Sequence, residues 1–398
     1  MMASPALLDL GVAFVAVAVA AALAVRVGLS VIPAYILAGV VVGPNPPRTV
    51  LGVDVALVES GALVAGLAEL GVVLLLFFLG LEFSVDKLLR DRRRVVAAGL
   101  VDLAVNFTLG LLVALAFGLS LLAALFVAGI VYISSSAVVT KSLLERGWIA
   151  NPEADPILGT LVFEDLAIAV YLAVLSAVLG GGGGGVAAVT GVARAFAFLG
   201  ALALVAWAGT GLVVALLDHP TDEVFLLQVL GAVTLVAGAA LLAGASEAVA
   251  AFFVGAALSG SDLVDRLETL VSPLRDVFAA VFFFAIGLGT DLALVADVAP
   301  LLVAAVAVTT LGKFASGITS GRVYGLSATR SVRTALALVP RGEFSLVVAA
   351  LAATAGGEVA GTVPAFAVGY VLAMTVLGAL LLEAADPLTR ALAPRLGM

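Results

Sequence analysis

The segment LVFEDLAIAV, residues 161–170, places Glu164 and Asp165 side by side in an otherwise apolar run. Carboxylates that face water are common, but this run is too apolar to face water. Adjacent residues of a helix point about 100° apart. One carboxylate can therefore face a water-filled cavity while the other faces a neighbouring helix, so the pair predicts two separate roles rather than one shared chelate.

The composition of the whole chain agrees with a helix that is buried in lipid. The chain has 398 residues, of which 63% are hydrophobic and 12% charged, and its mean hydropathy is +1.27. A soluble domain is about half apolar and about a quarter charged. Apolar stretches long enough to cross a bilayer recur along the chain, whereas a membrane barrel would show alternating segments of about ten residues. The sequence predicts an all-α polytopic membrane protein.

Several classes of protein are excluded or disfavoured. The chain has no cysteine, so thiol chemistry and cysteine-based metal sites are excluded. His219 stands in the polar connection LLDHPTDE and is expected at the surface. The net charge of −8 argues against nucleic acid. Because no nucleotide-binding glycine motif, HExxH motif or nucleophile–base pair is present, we expect neither an enzyme, a cofactor nor a resident metal.

Thirteen candidate spans can be assigned from hydropathy. The first apolar run has no basic segment before it, so we interpret it as a span and not as a cleaved signal. The spans lie near residues 5–25, 29–43, 63–83, 95–117, 119–141, 155–179, 187–217, 224–243, 246–260, 276–290, 298–320, 330–355 and 362–383.

The distribution of basic residues predicts the orientation. With the N-terminus outside, fifteen of the nineteen Lys and Arg residues fall in cytoplasmic loops, and Arg48 and Arg194 fall in outside loops. The remaining two, Lys313 and Arg341, lie within spans. Cytoplasmic loops are enriched in Lys and Arg, so we expect a plasma-membrane protein with a cytoplasmic C-terminus.

Two spans carry polar interruptions at matching places. The fifth contains YISSSAVV, residues 132–139, and the twelfth contains LVPRGEFSLVV, residues 338–348. They are seven spans apart and therefore cross in opposite directions, as expected for inverted repeats, in which a pair of interrupted helices indicates a transporter binding site. A kinked helix and a serine-rich packing face are the structural alternatives.

The interruptions supply candidate lining residues. Pro340 removes a backbone donor and Gly342 loosens the helix, while serine hydroxyls can satisfy the freed backbone groups. Arg341 is expected either to pair with Glu343 or to hold the polar network in place. The predicted lining residues are Ser134, Ser135, Ser136, Arg341 and Glu343.

Lys313 is the only lysine deep within a span. A charged group there costs at least about 2.5 kcal/mol and is a functional candidate by default. If the eleventh span packs on the sixth, Glu164 is its natural partner, which leaves Asp165 as the carboxylate that faces the ion. Asp102 and Asn106 lie one turn apart, so they share a face that we expect to point inward with a mainly structural role.

Motifs along nearly the whole chain resemble one family. They are IPAYILAGVVVGP (32–44), LLLFFLGLEF (74–83), ISSSAVVTKSLLERG (133–147), LGTLVFEDLAIAV (158–170), FFFAIGLGTDL (282–292), Lys313 and RGEFSLVV (341–348). The chain is similar to the monovalent cation:proton antiporter-2 family, which includes Kef-type K⁺/H⁺ antiporters and bacterial Na⁺/H⁺ relatives.

This resemblance implies a sodium/proton antiporter fold in which two broken helices cross beside the acid pair. Asp165 matches the family's essential cation- and proton-binding aspartate, and Lys313 matches the lysine that pairs with the preceding position. That position, Glu164, is neither the aspartate nor the glutamine found in the better-known branches. We expect Glu164 to belong to the cation- and proton-binding site together with Asp165, and whether it also carries a proton decides whether the exchange moves net charge. The implied parts are a dimer scaffold (1–94 and 218–297), a mobile core (95–179 and 298–385), a linking helix (180–217) and a short cytoplasmic tail (386–398).

The function predicted from these features is exchange of K⁺ or Na⁺ for H⁺ by alternating access, and the resemblance implies an elevator-like motion of the core against the scaffold. The expected partners are the two ions, the lipid bilayer, a second copy of the chain and a separate cytoplasmic regulatory subunit. A gated cation channel with an acidic cavity at mid-membrane is the alternative.

Overall fold

The chain is almost entirely helical in the computed structural model. The structure describes residues 6–26, 31–44, 49–50, 53–54, 57–58, 61–82, 92–180, 193, 197–198, 200–202, 204–206, 209–243 and 245–396. Three features noted in the sequence lie at least partly outside these residues: Arg48, Arg194 and much of the predicted linking helix (180–217).

The principal helices and strands follow one another along the chain. They are α1 (Ala6–Arg26), α2 (Val31–Val42), β1 (Thr49–Val50), β2 (Val53–Asp54), α3 (Ala62–Glu82), α4 (Arg92–Ala116), α5 (Leu121–Tyr132), α6 (Ser136–Glu145), α7 (Ala154–Gly180), α8 (Thr210–Leu217), α9 (Asp222–Leu242), α10 (Glu247–Leu258), α11 (Val264–Leu288), α12 (Leu292–Asp297), α13 (Ala299–Val323), α14 (Ala328–Ala337), α15 (Glu343–Ala353), α16 (Gly357–Glu383) and α17 (Ala385–Leu392). The two strands form a short antiparallel pair in which Val50 is the partner of Val53.

Within the described ranges, eight helices are long and apolar enough to cross a bilayer: α1, α3, α4, α7, α9, α11, α13 and α16. Several other predicted spans correspond to shorter helices. The apolar helices α2 and α10 have 12 residues each, and both polar interruptions divide a span into two halves. The count of thirteen spans therefore stays a prediction, although the all-helical polytopic architecture agrees with the sequence.

The outer surface of the long helices is apolar. Leu235 on α9, Val303 on α13 and Leu311 on α13 are 74%, 68% and 71% exposed. Exposed apolar patches on this scale mark a surface that meets lipid or another protein. A polytopic membrane protein presents such side chains to the bilayer.

The chain divides into two compact units. Residues 1–60, 87–168 and 286–398 form unit 1, and residues 61–86 and 169–285 form unit 2. The predicted division into scaffold and mobile core is a functional one, and it stays a prediction.

In unit 2, glycines allow two helices to pack closely. A Cβ built on Gly80 of α3 would lie 2.9 Å from the carbonyl carbon of Phe252 in α10, and one built on Gly255 of α10 would lie 2.9 Å from the backbone nitrogen of Leu81. Small residues let membrane helices approach in this way. Phe77 and Phe225 are among the buried side chains that complete this core.

In unit 1, the fifth and twelfth predicted spans are both interrupted. Helix α5 ends at Tyr132 and α6 begins at Ser136, while α14 ends at Ala337 and α15 begins at Glu343. Apolar side chains of α6, α7 and α14, including Leu143, pack into one core. The two interruptions contact each other: the Ser135 N–H donates to the Pro340 carbonyl at 2.9 Å.

Candidate functional site

Lys313 of α13 lies between two carboxylates on different helices. Its Nζ is 2.6 Å from Oδ2 of Asp102 on α4, and it also pairs with Oε1 of Glu164 on α7. The exposed fractions of these three side chains are 0%, 1% and 0%. The cluster therefore contains one carboxylate more than it has ammonium groups, inside a protein interior that excludes water.

Asp102 is held by neutral donors as well as by the ammonium. Its Oδ1 accepts hydrogen bonds from Ser316 Oγ at 2.7 Å and from Asn106 Nδ2 at 2.9 Å. Asn106 lies one turn further along α4 and is fully buried. The inward face that was expected for Asp102 and Asn106 is confirmed, and it carries an ion pair that the sequence patterns did not predict.

Glu164 is tied to the first interruption. Its Oε2 accepts the backbone N–H of Ser134 at 2.6 Å, and its Oε1 lies 3.0 Å from Ser134 Oγ. The same hydroxyl lies 3.0 Å from the carbonyl of Leu338 in the second interruption. Glu164 thus contacts the ammonium of α13 and the end of α5 at the same time.

The second interruption follows from its local sequence. Pro340 has no N–H and disfavours helical backbone at Val339. Gly342 adopts φ −156° and ψ −140° before α15 begins. A Cβ on Gly342 would lie 2.6 Å from Cβ of Ser135, so the absence of a side chain permits the two interruptions to approach.

Arg341 satisfies the carbonyls that the interruptions free. Its Nε donates to the Val131 carbonyl at 3.0 Å, and its Nη1 donates to the carbonyls of Leu338 and Val339 at 3.0 and 2.7 Å. These acceptors lie at the C-terminal ends of α5 and α14, where the helix dipole is negative. The guanidinium is fully buried, and these contacts join it to both interruptions.

Glu343 occupies the complementary position. It begins α15, and its carboxylate accepts hydrogen bonds from Ser135 Oγ at 3.2 Å and Ser136 Oγ at 3.4 Å. Ser136 begins α6. The N-terminal ends of helices carry partial positive charge and favour a carboxylate. The crossing therefore places Arg341 at the two negative helix ends and Glu343 near the two positive ones.

Asp165 differs from Glu164 in its environment. Glu164 is fully buried, whereas Asp165 is partly exposed. This agrees with the roughly 100° between neighbouring helical positions. The paired carboxylate and the more accessible carboxylate thus follow each other directly along α7.

The structure brings together Glu164, Lys313 and Ser134 directly, and it joins Ser135, Ser136 and Glu343 in the adjoining crossing. The sequence patterns did not identify Asp102 as a partner of Lys313. They also assigned no role to Tyr132, whose ring centroid lies 5.4 Å from Lys313 Nζ. Asp102 could have been found from the rule that an acid within a span is a functional candidate. Tyr132 offered no comparable signal.

Comparison with known proteins places this architecture in a family. Residues 12–384 match the family described as sodium/hydrogen exchanger, transmembrane. The chain belongs to this family. The match confirms the resemblance to monovalent cation:proton antiporters that the motifs indicate.

Curated relatives within the family are antiporters and not enzymes. The K⁺/H⁺ antiporter subunit KhtU of Bacillus subtilis is 37% identical over 385 residues, which cover 96% of this chain and 94% of that protein. The ammonium/H⁺ antiporter subunit AmhT of Alkalihalophilus pseudofirmus is 32% identical and covers 84% of each chain.

A solved structure shares the fold. The sodium proton antiporter MjNhaP1 of Methanocaldococcus jannaschii, determined at pH 8, superposes with a TM-score of 0.71. The alignment covers 97% of this chain and 99% of that chain at 15% sequence identity. At this identity the likeness establishes the fold alone.

Proposed function

We propose that this family member is a secondary active antiporter that exchanges K⁺ for H⁺, with Asp165 as the carboxylate that binds the two ions in turn. The observation that carries the proposal is the buried Asp102–Lys313–Glu164 cluster beside two interrupted helices. Membership of the family supports cation/proton antiport, and the name of the relative KhtU supports K⁺ over Na⁺.

The charge of the cluster explains why exchange is coupled. A carboxylate in mid-membrane is balanced by a proton or by a dehydrated cation, and one site does not hold both well. Lys313 pairs with Asp102 and Glu164, and Asp165 is the partly exposed carboxylate directly beside this cluster. Because a charged carboxylate is costly within a membrane, we expect Asp165 to bind either H⁺ or the cation before it moves through the apolar interior.

Glu164 and Lys313 act as the fixed pair beside this site. Glu164 accepts two contacts from Ser134 in addition to the ammonium, so its carboxylate is held at the interruption. With one exchanging carboxylate, each cycle moves one cation against one proton and no net charge.

The interruptions complete the polar surroundings. Ser134, Ser135 and Ser136 provide hydroxyls, and Arg341 and Glu343 balance the helix ends. Irregular backbone at membrane depth is tolerated where it is buried in protein or lines an aqueous cavity. We assign these five residues to the support and lining of the ion site.

The larger-scale mechanism is part of the same proposal. An elevator-like displacement of the core (95–179 and 298–385) against a dimer scaffold (1–94 and 218–297) gives alternating access. The N-terminus lies outside and the C-terminus in the cytoplasm of the plasma membrane, as the basic residues predict. The names of KhtU and AmhT as antiporter subunits support a separate cytoplasmic subunit.

Transport in proteoliposomes tests the proposal. An imposed pH gradient is expected to drive K⁺ uphill against its own gradient, with Na⁺ and NH₄⁺ compared in parallel. A clamped membrane potential should leave the initial rate unchanged if no net charge moves. A gated cation channel would dissipate cation gradients without uphill movement, and that result would contradict the proposed antiport.

The role of Asp165 has its own test. Asp165→Asn should abolish proton-driven exchange while the protein remains folded, because the amide cannot alternate between a proton and a cation. Asp297→Asn is the matched control, since Asp297 is exposed at the end of α12, and it should exchange like the wild type. Full exchange by Asp165→Asn would refute the assignment.

A further inference from the structure

Tyr132 has a buried hydroxyl that takes no part in the hydrogen bonds of the cluster. Tyr132 is the last residue of α5 and is 2% exposed. Among the residues that the structure describes, its hydroxyl has no hydrogen-bond partner. A buried polar group without a partner costs about 1–3 kcal/mol, and such a group in a native structure requires an explanation.

The aromatic ring of Tyr132 contacts the ammonium of Lys313. Lys313 Nζ lies 5.4 Å from its centroid, and a desolvated cation–π contact stabilises by up to about 2 kcal/mol. The ammonium on this ring is the one that pairs with Asp102 and Glu164, and Asp165 follows Glu164 directly along α7. The ring therefore helps to hold the ammonium, while the hydroxyl takes part in none of the cluster's hydrogen bonds.

Tyr370 shows what a structural tyrosine does in the same unit. It is fully buried like Tyr132, but its hydroxyl lies 2.5 Å from Thr309 Oγ1 on α13. Its polar atom is thus satisfied within the protein. The two tyrosines share burial and unit, and they differ in whether the hydroxyl has a protein partner.

We propose that the Tyr132 hydroxyl is a ligand of the transported monovalent cation and acts together with the carboxylate of Asp165. The inference rests on the proposed antiport and adds a residue to its ion site. A hydroxyl oxygen replaces part of the cation's hydration shell without adding charge. The exchange between cation and proton is therefore still governed by the carboxylate, while Tyr132 raises affinity for the cation alone.

The test compares two tyrosine-to-phenylalanine variants in proteoliposomes. Tyr132→Phe keeps the ring over Lys313 and removes only the hydroxyl. The loss of one neutral contact is expected to raise the KM for K⁺ about fivefold to tenfold, with kcat close to that of the wild type. Tyr370→Phe loses a buried hydrogen bond but should leave the KM for K⁺ unchanged.

The outcomes distinguish a failure of the proposed antiport from a failure of the proposed ligand role of Tyr132. If the wild type exchanges K⁺ for H⁺ and Tyr132→Phe has the same KM, the ligand role is refuted and the antiport stands. If the wild type exchanges no cation, the antiport fails and the ligand role with it. A rise in KM of the same size in Tyr370→Phe would show a general packing effect and would also overturn the ligand role.

A measurement on the unmodified protein gives an independent answer. Tl⁺ substitutes for K⁺ and is located by its strong scattering in an experimental structure. Tl⁺ in direct contact with the Tyr132 hydroxyl oxygen would support the proposal. Tl⁺ bound at Asp165 but remote from Tyr132 would overturn it.

Discussion

The Lys313→Met substitution removes the ammonium that Asp102 and Glu164 share. Methionine keeps the unbranched shape of the side chain, so the change is mainly one of charge. Asp102 would retain its hydrogen bonds from Ser316 and Asn106, at 2.7 and 2.9 Å. Glu164 would retain the contacts of Ser134, but both carboxylates would lose their charged partner.

The size of the effect follows from the burial of the cluster. All three side chains are at most 1% exposed, so solvent does not screen the charges that remain. Breaking a buried pair by removal of one partner destabilises by about 3–5 kcal/mol, whereas replacement of the whole set by neutral groups is often close to neutral. The triple variant Asp102→Asn, Glu164→Gln, Lys313→Met should therefore regain most of the stability that Lys313→Met loses.

The assay is thermal unfolding of the purified protein in detergent, at one scan rate because unfolding of such proteins is commonly irreversible. The expected order of melting temperature is wild type, then the triple variant, then Lys313→Met. Asp276→Asn is the control, because its pair with Arg275 is exposed and such pairs contribute at most about 1 kcal/mol. A Lys313→Met protein as stable as this control, or a triple variant no more stable than Lys313→Met, would refute the reasoning.

Two further substitutions, each with its own control, test a close contact between the interruptions and a buried carboxylate that pairs with arginines. Gly342→Ala should lower both the melting temperature and the rate of exchange, because the new Cβ would lie 2.6 Å from Cβ of Ser135. Gly361→Ala is the control: its new Cβ would meet nothing within 4 Å, so the melting temperature and the rate of exchange should stay close to those of the wild type. Glu153→Gln should destabilise by about 1–3 kcal/mol in thermal unfolding, since its fully buried carboxylate pairs with two arginines. Asp386→Asn, at a carboxylate 73% exposed, should change stability by less than about 1 kcal/mol.

The sequence was most informative where the composition of a short segment alone determines the local structure. Long apolar runs located most of the helices, and the ISSS and VPRGE segments located both interruptions. It was less accurate at α11, which begins at Val264, whereas hydropathy predicted a span from residue 276. The first turns of α11 include Asp265, Arg266 and Glu268, so apolar content alone does not detect that the helix extends beyond the span.

The sequence by itself determined the membrane class, the family and the presence of two adjacent acids within a span, because composition and local motifs express these properties. Only the tertiary structure decided that Asp102 shares Lys313 with Glu164 and that the Tyr132 ring covers the ammonium. Asp102 and Lys313 are 211 positions apart, and Glu164 and Lys313 are 149 apart. Contacts over such separations depend on which helix faces meet, and the energy of a buried charge depends on the groups that those faces bring together.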